Sequence, residues 1–238
     1  MNGKGKEILK KILSCPDYKN AFRDFVKLTP EENKITIDHV VSAISSYYGS
    51  FSKYYSPFDD AMNQGSAVDE KIQKGFNIFM SKGRCATCHF MPQFNGIKPP
   101  YVNSEFEVLG VPADTFYRSL SPDSGRYLIN PAPEMMNAFR TPSLRNTRYT
   151  APYMHHGKFP SLQSVMEFYD AGGGVGHGLR VSNQTLETDS LHLSANEKTE
   201  VLGFLFSLSE NIPGESAPVA LPKSRNKALN GRKVGGEY

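Results

Sequence analysis

Cys85-Ala86-Thr87-Cys88-His89 sets two thiols three positions apart and puts an imidazole directly after the second. C-x-x-C-H is the attachment signature of c-type haem. Two thiols at this spacing can each add to one vinyl group of a single haem. The histidine that follows is then held under the iron as the proximal ligand. A structural zinc site would need four ligands, usually including a second Cys pair or a His pair at set spacing. The chain has three cysteines, and the third, Cys15, stands alone far upstream, where a small core residue or an inert surface thiol is expected. A redox dithiol belongs in a strand-to-helix setting. Here a helical stretch precedes the motif and a Pro/Gly-rich loop follows it. Cys85 and Cys88 are therefore read as haem anchors and His89 as an iron ligand.

The elements that must position this motif are mostly helical. Ile8, Leu9, Ile12 and Leu13 recur at helical spacing, and Tyr18, Phe22, Phe25 and Val26 repeat the pattern after Pro16. Thr29-Pro30-Glu31-Glu32 is a capping box with proline at the first helical position. Thr36 starts a helix carrying Ile37, Val40, Val41 and Ile44, and Tyr47, Tyr48, Phe51, Tyr54 and Tyr55 follow as an aromatic cluster. Packing is the favoured role for that cluster, with an electron relay as the sharper alternative. Gln64-Gly65-Ser66 reads as a linker. Val68, Ile72, Phe76 and Phe79 then mark a helix that runs to Gly83 and delivers the motif. Residues 90–143 show few helical or alternating patterns, and so long an irregular stretch needs something to organise it. The apolar face of a haem would do so. Ser161 caps a helix with Leu162, Val165, Met166 and Tyr169 on one face, closed by Gly172-Gly173-Gly174. Ser194-Ala195-Asn196-Glu197 caps the last helix, whose apolar face is Val201, Leu202, Leu205 and Leu208. The fold expected is mainly α, a class I cytochrome c-like haem domain with long irregular loops. An extended surface tail is expected from Gly214 to Tyr238.

The totals exclude several other roles. The 238 residues are 39% apolar and 21% charged, ordinary for a globular protein. A net charge of +3 gives no argument for nucleic acid, and no apolar run approaches a membrane span. Haem c is attached outside the cytoplasm in bacteria, so a periplasmic setting is expected, yet Met1 to Ile12 is charge-rich and has no apolar core of a signal peptide.

Longer stretches resemble one family. They are Ile35-Thr36-Ile37 through Ala43-Ile44, Ser56-Pro57-Phe58-Asp59, Gly83-Arg84 leading into the haem motif, and Leu109-Gly110-Val111. Further on come Phe139-Arg140-Thr141-Pro142-Ser143-Leu144-Arg145-Asn146, Thr150-Ala151-Pro152-Tyr153-Met154-His155-His156-Gly157 and Glu167-Phe168-Tyr169-Asp170-Ala171-Gly172-Gly173. Together these resemble the bacterial di-haem cytochrome c peroxidases, a family that includes MauG. Such proteins pair a peroxidatic haem domain with a domain whose high-potential haem passes in electrons.

The resemblance implies that residues 1–65 are the closing helices of the first, peroxidatic domain, itself cytochrome c-like. Residues 66–213 would be the electron-transfer haem domain and residues 214–238 the tail. One covalent haem c belongs to this chain, and a second is expected upstream. The implied distal ligand is Tyr169, with Met154 and Met166 left open as alternatives, since Met166 shares the helical face. Methionine raises a haem's potential, and tyrosinate, a hard oxygen donor, lowers it. The family's calcium site maps onto the Thr150 and Pro152 carbonyls, a donor type that suits calcium. Arg140 matches a basic residue able to neutralise a haem propionate. His155 and His156 are read as structural, and His39, His177 and His192 as surface residues. The implied partners are hydrogen peroxide for the whole enzyme and a small electron-donor protein, a cytochrome c or a cupredoxin, with a homodimer left open. A MauG-like oxidase of a protein or small molecule, and a stand-alone monohaem carrier, are the competing functions.

Overall fold

In the computed structural model, residues 4–26, 34–51, 53–210 and 218–232 are described. The Thr29–Glu32 capping box lies outside them. The chain divides into two compact units, Met1–Lys53 with Ile212–Tyr238, and Tyr54–Asn211. The sequence reading drew its boundary near residue 65, so the second unit begins one helix earlier.

In the first unit, α1 (Gly5–Leu13), α2 (Pro16–Val26) and α3 (Ile37–Gly49) pack on one another. Thr36 caps α3 as expected, and its N–H donates to His39 Nδ1 at 3.0 Å. Cys15 is a buried free thiol. The tail is more tied down than expected. The Arg225 N–H donates to the Ser14 carbonyl at 3.0 Å, and the Ser224 and Ser14 hydroxyls are 2.8 Å apart. Tyr47 meets Phe51 edge-on at 4.8 Å, but Tyr48 is 77% exposed and Tyr55, in the second unit, 73%. The aromatic cluster is therefore not the packed group expected.

The second unit is built on α5 (Glu70–Met80), which packs along α8 (Ala195–Ser207). The two backbones approach so closely that a Cβ on Gly75 would lie 1.9 Å from the Glu200 carbonyl oxygen. The core between them is aromatic: the rings of Phe58, Phe76, Phe79, Phe94 and Phe204 meet at centroid distances of 5.1–5.8 Å. Phe58 comes from α4 (Pro57–Gln64). Ser56, Pro57 and Asp59 start that helix as cap, first-turn proline and capping-box acid, with the Ser56 hydroxyl donating to Asp59 at 2.6 Å. This helix start was not expected from the sequence, where Ser56–Asp59 stood out only as a family motif.

Residues 90–143 are irregular, as expected. They hold the two-residue strands β1 (Phe106–Glu107) and β2 (Phe139–Arg140), paired antiparallel, isolated bridges and short 3-10 turns. The helix capped by Ser161 is α6 (Leu162–Asp170). Gly172, at φ 91°, ends it, and a single turn, α7 (Gly173–Gly176), follows against residues 109–110. Gly173 and Gly174 are required there, because a Cβ on either would meet the Leu109 or Gly110 carbonyl oxygen within 2.7 Å.

Candidate functional site

The haem motif sits directly after α5. Gly83 turns the chain back so that its N–H bonds the Ile78 carbonyl at 2.8 Å, and Cys85–Thr87 then form one 3-10 turn. The His89 N–H bonds the Cys85 carbonyl at 3.0 Å, closing the motif on itself. His89 Nδ1 donates to the Phe94 carbonyl at 2.8 Å. That bond fixes the tautomer, since a carbonyl can only accept, and leaves Nε2 with its lone pair free to bind a metal. Burial pushes the His89 pKa down, against the pull of the Phe94 and Pro142 carbonyls, so the ring stays neutral as a ligand must.

The two thiols are free. Burial pushes Cys85 up to about 12 and Cys88 up to about 11, and Glu107 on β1 adds to the rise at Cys88. Reactive dithiols have lowered values, so the site has the opposite character from a redox pair. Among the described residues no three His, Cys, Asp or Glu side chains cluster as a bare metal site. The donor set fits haem c: two protonated thiols, a neutral imidazole with a free Nε2, and aromatic and aliphatic walls.

Of the distal candidates, α6 carries two. Burial pushes the Tyr169 phenol pKa upward, and the nearby Cys85, Cys88 and Glu107 add to the rise. Tyr169 and Met154 each pack against the cluster of Val111, Phe159 and Phe168. Met166 is buried in the other cluster with Phe79, Leu162 and Phe204, against which Cys85 also packs. Arg140 is exposed on β2 opposite Phe106. Thr150 and Pro152 are exposed.

His155 and His156 have structural contacts. His155 stacks on Phe139 at 3.8 Å with its Nε2 2.9 Å from the Ser121 hydroxyl, and His156 Nε2 donates to the Pro112 carbonyl at 2.7 Å. His177 is not the surface residue expected. Its ring stacks on Tyr117 at 3.7 Å and lies 5.9 Å from Phe168, with Nε2 buried and unbonded among the described residues. His39 is half-buried through its Thr36 bond, whereas His192 is exposed.

These rings set a pH dependence. Burial lowers the pKa of His89, His155 and His177 from 6.5, so the unfolded chain binds more protons than the folded one just below that value. The stability of the haem-free chain is expected to fall as pH drops through 6.5 and to level off once the folded rings have titrated. Unfolding midpoints between pH 7 and 5 test this, and His177→Phe, which keeps the stack, should flatten the slope.

The most informative residues that sequence reasoning missed are Asp59 and Arg145. The guanidinium is bidentate to the carboxylate at 2.7 and 2.8 Å, with side chains 2% and 7% exposed. Both stand in quoted stretches, Ser-Pro-Phe-Asp and Phe-Arg-Thr-Pro-Ser-Leu-Arg-Asn. Nothing in the spacing pairs them.

The family model for di-haem cytochrome c peroxidase matches residues 1–67. The cytochrome-c peroxidase IdrP1 of Pseudomonas sp. (strain SCT) is 32% identical over 93% of this chain and 64% of its own length. The methylamine utilization protein MauG of Methylorubrum extorquens is 28% identical over 91% of this chain and 55% of its own. The chain thus spans less than two thirds of either relative. The crystal structure of a MauG-like protein associated with microbial copper homeostasis is similar, with a TM-score of 0.62 and 24% identity, over 89% of this chain and 63% of that one. The diheme peroxidase BthA from Burkholderia thailandensis E264 gives a TM-score of 0.60 at 16% identity, over 88% and 60%.

Proposed function

The chain belongs to the di-haem cytochrome c peroxidase and MauG family, and on that premise we propose that it is the electron-transfer part of such a protein. The observation that carries this is the Cys85–His89 turn at the end of α5, with His89 Nε2 left free by the Phe94 bond, and the electrostatic influence of Cys85 and Cys88 on the buried Tyr169 phenol supports it. Haem bound there supplies a one-electron ferric/ferrous couple. Cys85 and Cys88 would hold it through thioethers, each thiol adding S and H across one vinyl group, so that no oxidant would be consumed. His89 would ligate the iron through Nε2, and Tyr169 would be its second protein ligand and would keep peroxide out. Arg140, exposed on β2, would neutralise a propionate.

The helices α1–α3 of the first unit are the closing helices of an upstream peroxidatic domain, and the family-model match to residues 1–67, which spans them, supports this. The parent reduces hydrogen peroxide to two waters, taking two electrons from a small periplasmic donor such as a cytochrome c or cupredoxin and two protons from solvent. Its second haem and its acid–base residues lie upstream of this chain. Thr150 and Pro152 are exposed, and their carbonyls could bind calcium shared with that domain.

A second reading keeps the fold and changes the substrate. Tyrosinate stabilises ferric iron, so with Tyr169 as the distal ligand the parent would oxidise a protein or small molecule as a MauG-like oxidase. A monohaem carrier is less well supported, because α1–α3 form a separate unit that such a carrier does not need. The deciding experiment is the spectrum of the haem-loaded chain, oxidised and reduced, with and without Tyr169→Phe. Oxidised bands that change only in the variant support tyrosinate ligation. A methionine-ligation band indifferent to the substitution removes Tyr169 from the iron. Robust peroxide turnover by the pure haem-loaded chain would overturn the electron-transfer assignment.

A further inference from the structure

The segment that gives His89 its hydrogen-bond acceptor is held from outside itself. Three successive carbonyls, those of Pro92, Gln93 and Phe94, each accept a bond from the 143–145 segment. Arg145 Nε donates to Pro92 at 3.0 Å, the Ser143 hydroxyl to Gln93 at 2.6 Å, and the Leu144 N–H to Phe94 at 3.1 Å. The Phe94 carbonyl is the same one that accepts from His89 Nδ1. The other arms of Arg145 end on Asp59. Asp59 is fixed in turn by the Ser56 N–H at 3.1 Å and by the Ser56 hydroxyl. The guanidinium lies 4.5 Å from the Tyr54 ring centroid and 5.9 Å from that of Phe94. The Tyr54 hydroxyl meets the Gln93 side chain. A continuous set of bonds therefore runs from the first turn of α4 to the proximal histidine.

We infer that the Asp59–Arg145 pair is a positioning device for His89: it holds the Phe94 carbonyl against Nδ1 and thereby sets the reduction potential of the haem. This rests on the haem reading above. The reason is chemical. A carbonyl on Nδ1–H makes the imidazole a more basic ligand, and a more basic ligand favours ferric iron. If the carbonyl is allowed to drift, the ligand weakens as a donor and the ferrous form gains. A buried ion pair is poor evidence for stability, because apolar residues of similar volume often serve as well. Its geometric role is the better account of its presence here. Arg145 supplies three directed bonds in one plane, which neither lysine nor an apolar side chain can reproduce.

The test compares the haem-loaded chain with Asp59→Asn, Arg145→Met, Ser143→Ala and a core control, Leu202→Ala. The ferric/ferrous equilibrium is read by spectroelectrochemical titration, with axial ligation followed by absorption. Asp59→Asn and Arg145→Met are each expected to shift that equilibrium threefold or more toward ferrous iron. They change the local charge in opposite directions, so a pure field effect would split them. Ser143→Ala removes one rung and keeps the ion pair. It should shift the equilibrium the same way by less, and it decides the matter if the charge variants do not fold. Leu202→Ala should lower stability and leave the equilibrium in place. Unmoved equilibria in all folded variants, or opposite shifts from the two charge variants, would overturn the inference while the haem reading stands. A wild-type chain with no covalent haem by pyridine haemochrome assay would overturn both.

Discussion

Asp59→Ala is expected to destabilise the 54–211 unit by about 3–5 kcal/mol, because it leaves a buried guanidinium without its partner. Against a total stability of about 5–15 kcal/mol for a domain, that is a loss large enough to populate the unfolded chain. Burial alone would raise the Asp59 carboxyl pKa, but bonds from Arg145 and Ser56 outweigh it and hold the value below 3.8. The sign follows from linkage. A carboxyl with a depressed folded value contributes stability above its unfolded value and loses it as pH falls through the folded one. The wild type should therefore weaken below pH 4, and Asp59→Ala should show a shallower acid limb. Replacing the whole pair, Asp59→Leu with Arg145→Met, should recover most of the stability, since no charge is then stranded. Guanidinium unfolding of the three chains at pH 7 and pH 3.5 measures both effects. A single variant as stable as the wild type would mean that water reaches the guanidinium.

What sequence shows about this fold depends on range. Helix starts are local, and Thr36, Ser161 and Ser194 were read correctly because a cap and its helix lie within four residues. Ser56-Pro57-Phe58-Asp59 carries an equally clear start signal, and its helix was missed only because the linker reading drew the boundary after it. The irregular 90–143 stretch was legible as irregular, but not the way it is held. The bonds that fix Pro92, Gln93 and Phe94 come from residues some fifty positions on, and neither side has a periodic pattern. Asp59 and Arg145 are farther apart still, and a lone arginine or aspartate reads as surface unless its partner is known. His177 was misread for a related reason. It sits in a glycine-rich turn, which suggests exposure, yet that turn is tucked against Leu109 and Gly110 and carries the ring onto Tyr117. Tyr169 and Met166 share a helical face, so periodicity could not choose between them. What the structure adds is that the Tyr169 phenol is buried and feels both motif thiols electrostatically, whereas Met166 is buried in the α5–α8 core.

The second large effect concerns those thiols. With Cys85 and Cys88 both changed to alanine, the chain is expected to retain no covalently bound haem. Each single variant should keep haem through one thioether. The check is haem remaining with the protein after acid–acetone extraction, quantified as the pyridine haemochrome. The graded outcome is what separates the readings of the motif. A thiolate metal site loses its ligand set with either cysteine, and a redox dithiol loses its disulfide with either one, so both predict that the singles behave like the double. Attachment at two independent vinyl groups predicts that they do not. The pKa values sharpen the point. With Cys88 near 11 and Cys85 near 12, fewer than about one thiol in a thousand is ionised at pH 7. The folded site is therefore poorly suited to thiolate chemistry, and a chain folded without haem should be alkylated slowly at both cysteines. Rapid alkylation of the folded chain at neutral pH would point instead to an open, reactive dithiol, and haem retained by the double variant through extraction would remove these cysteines from the attachment altogether.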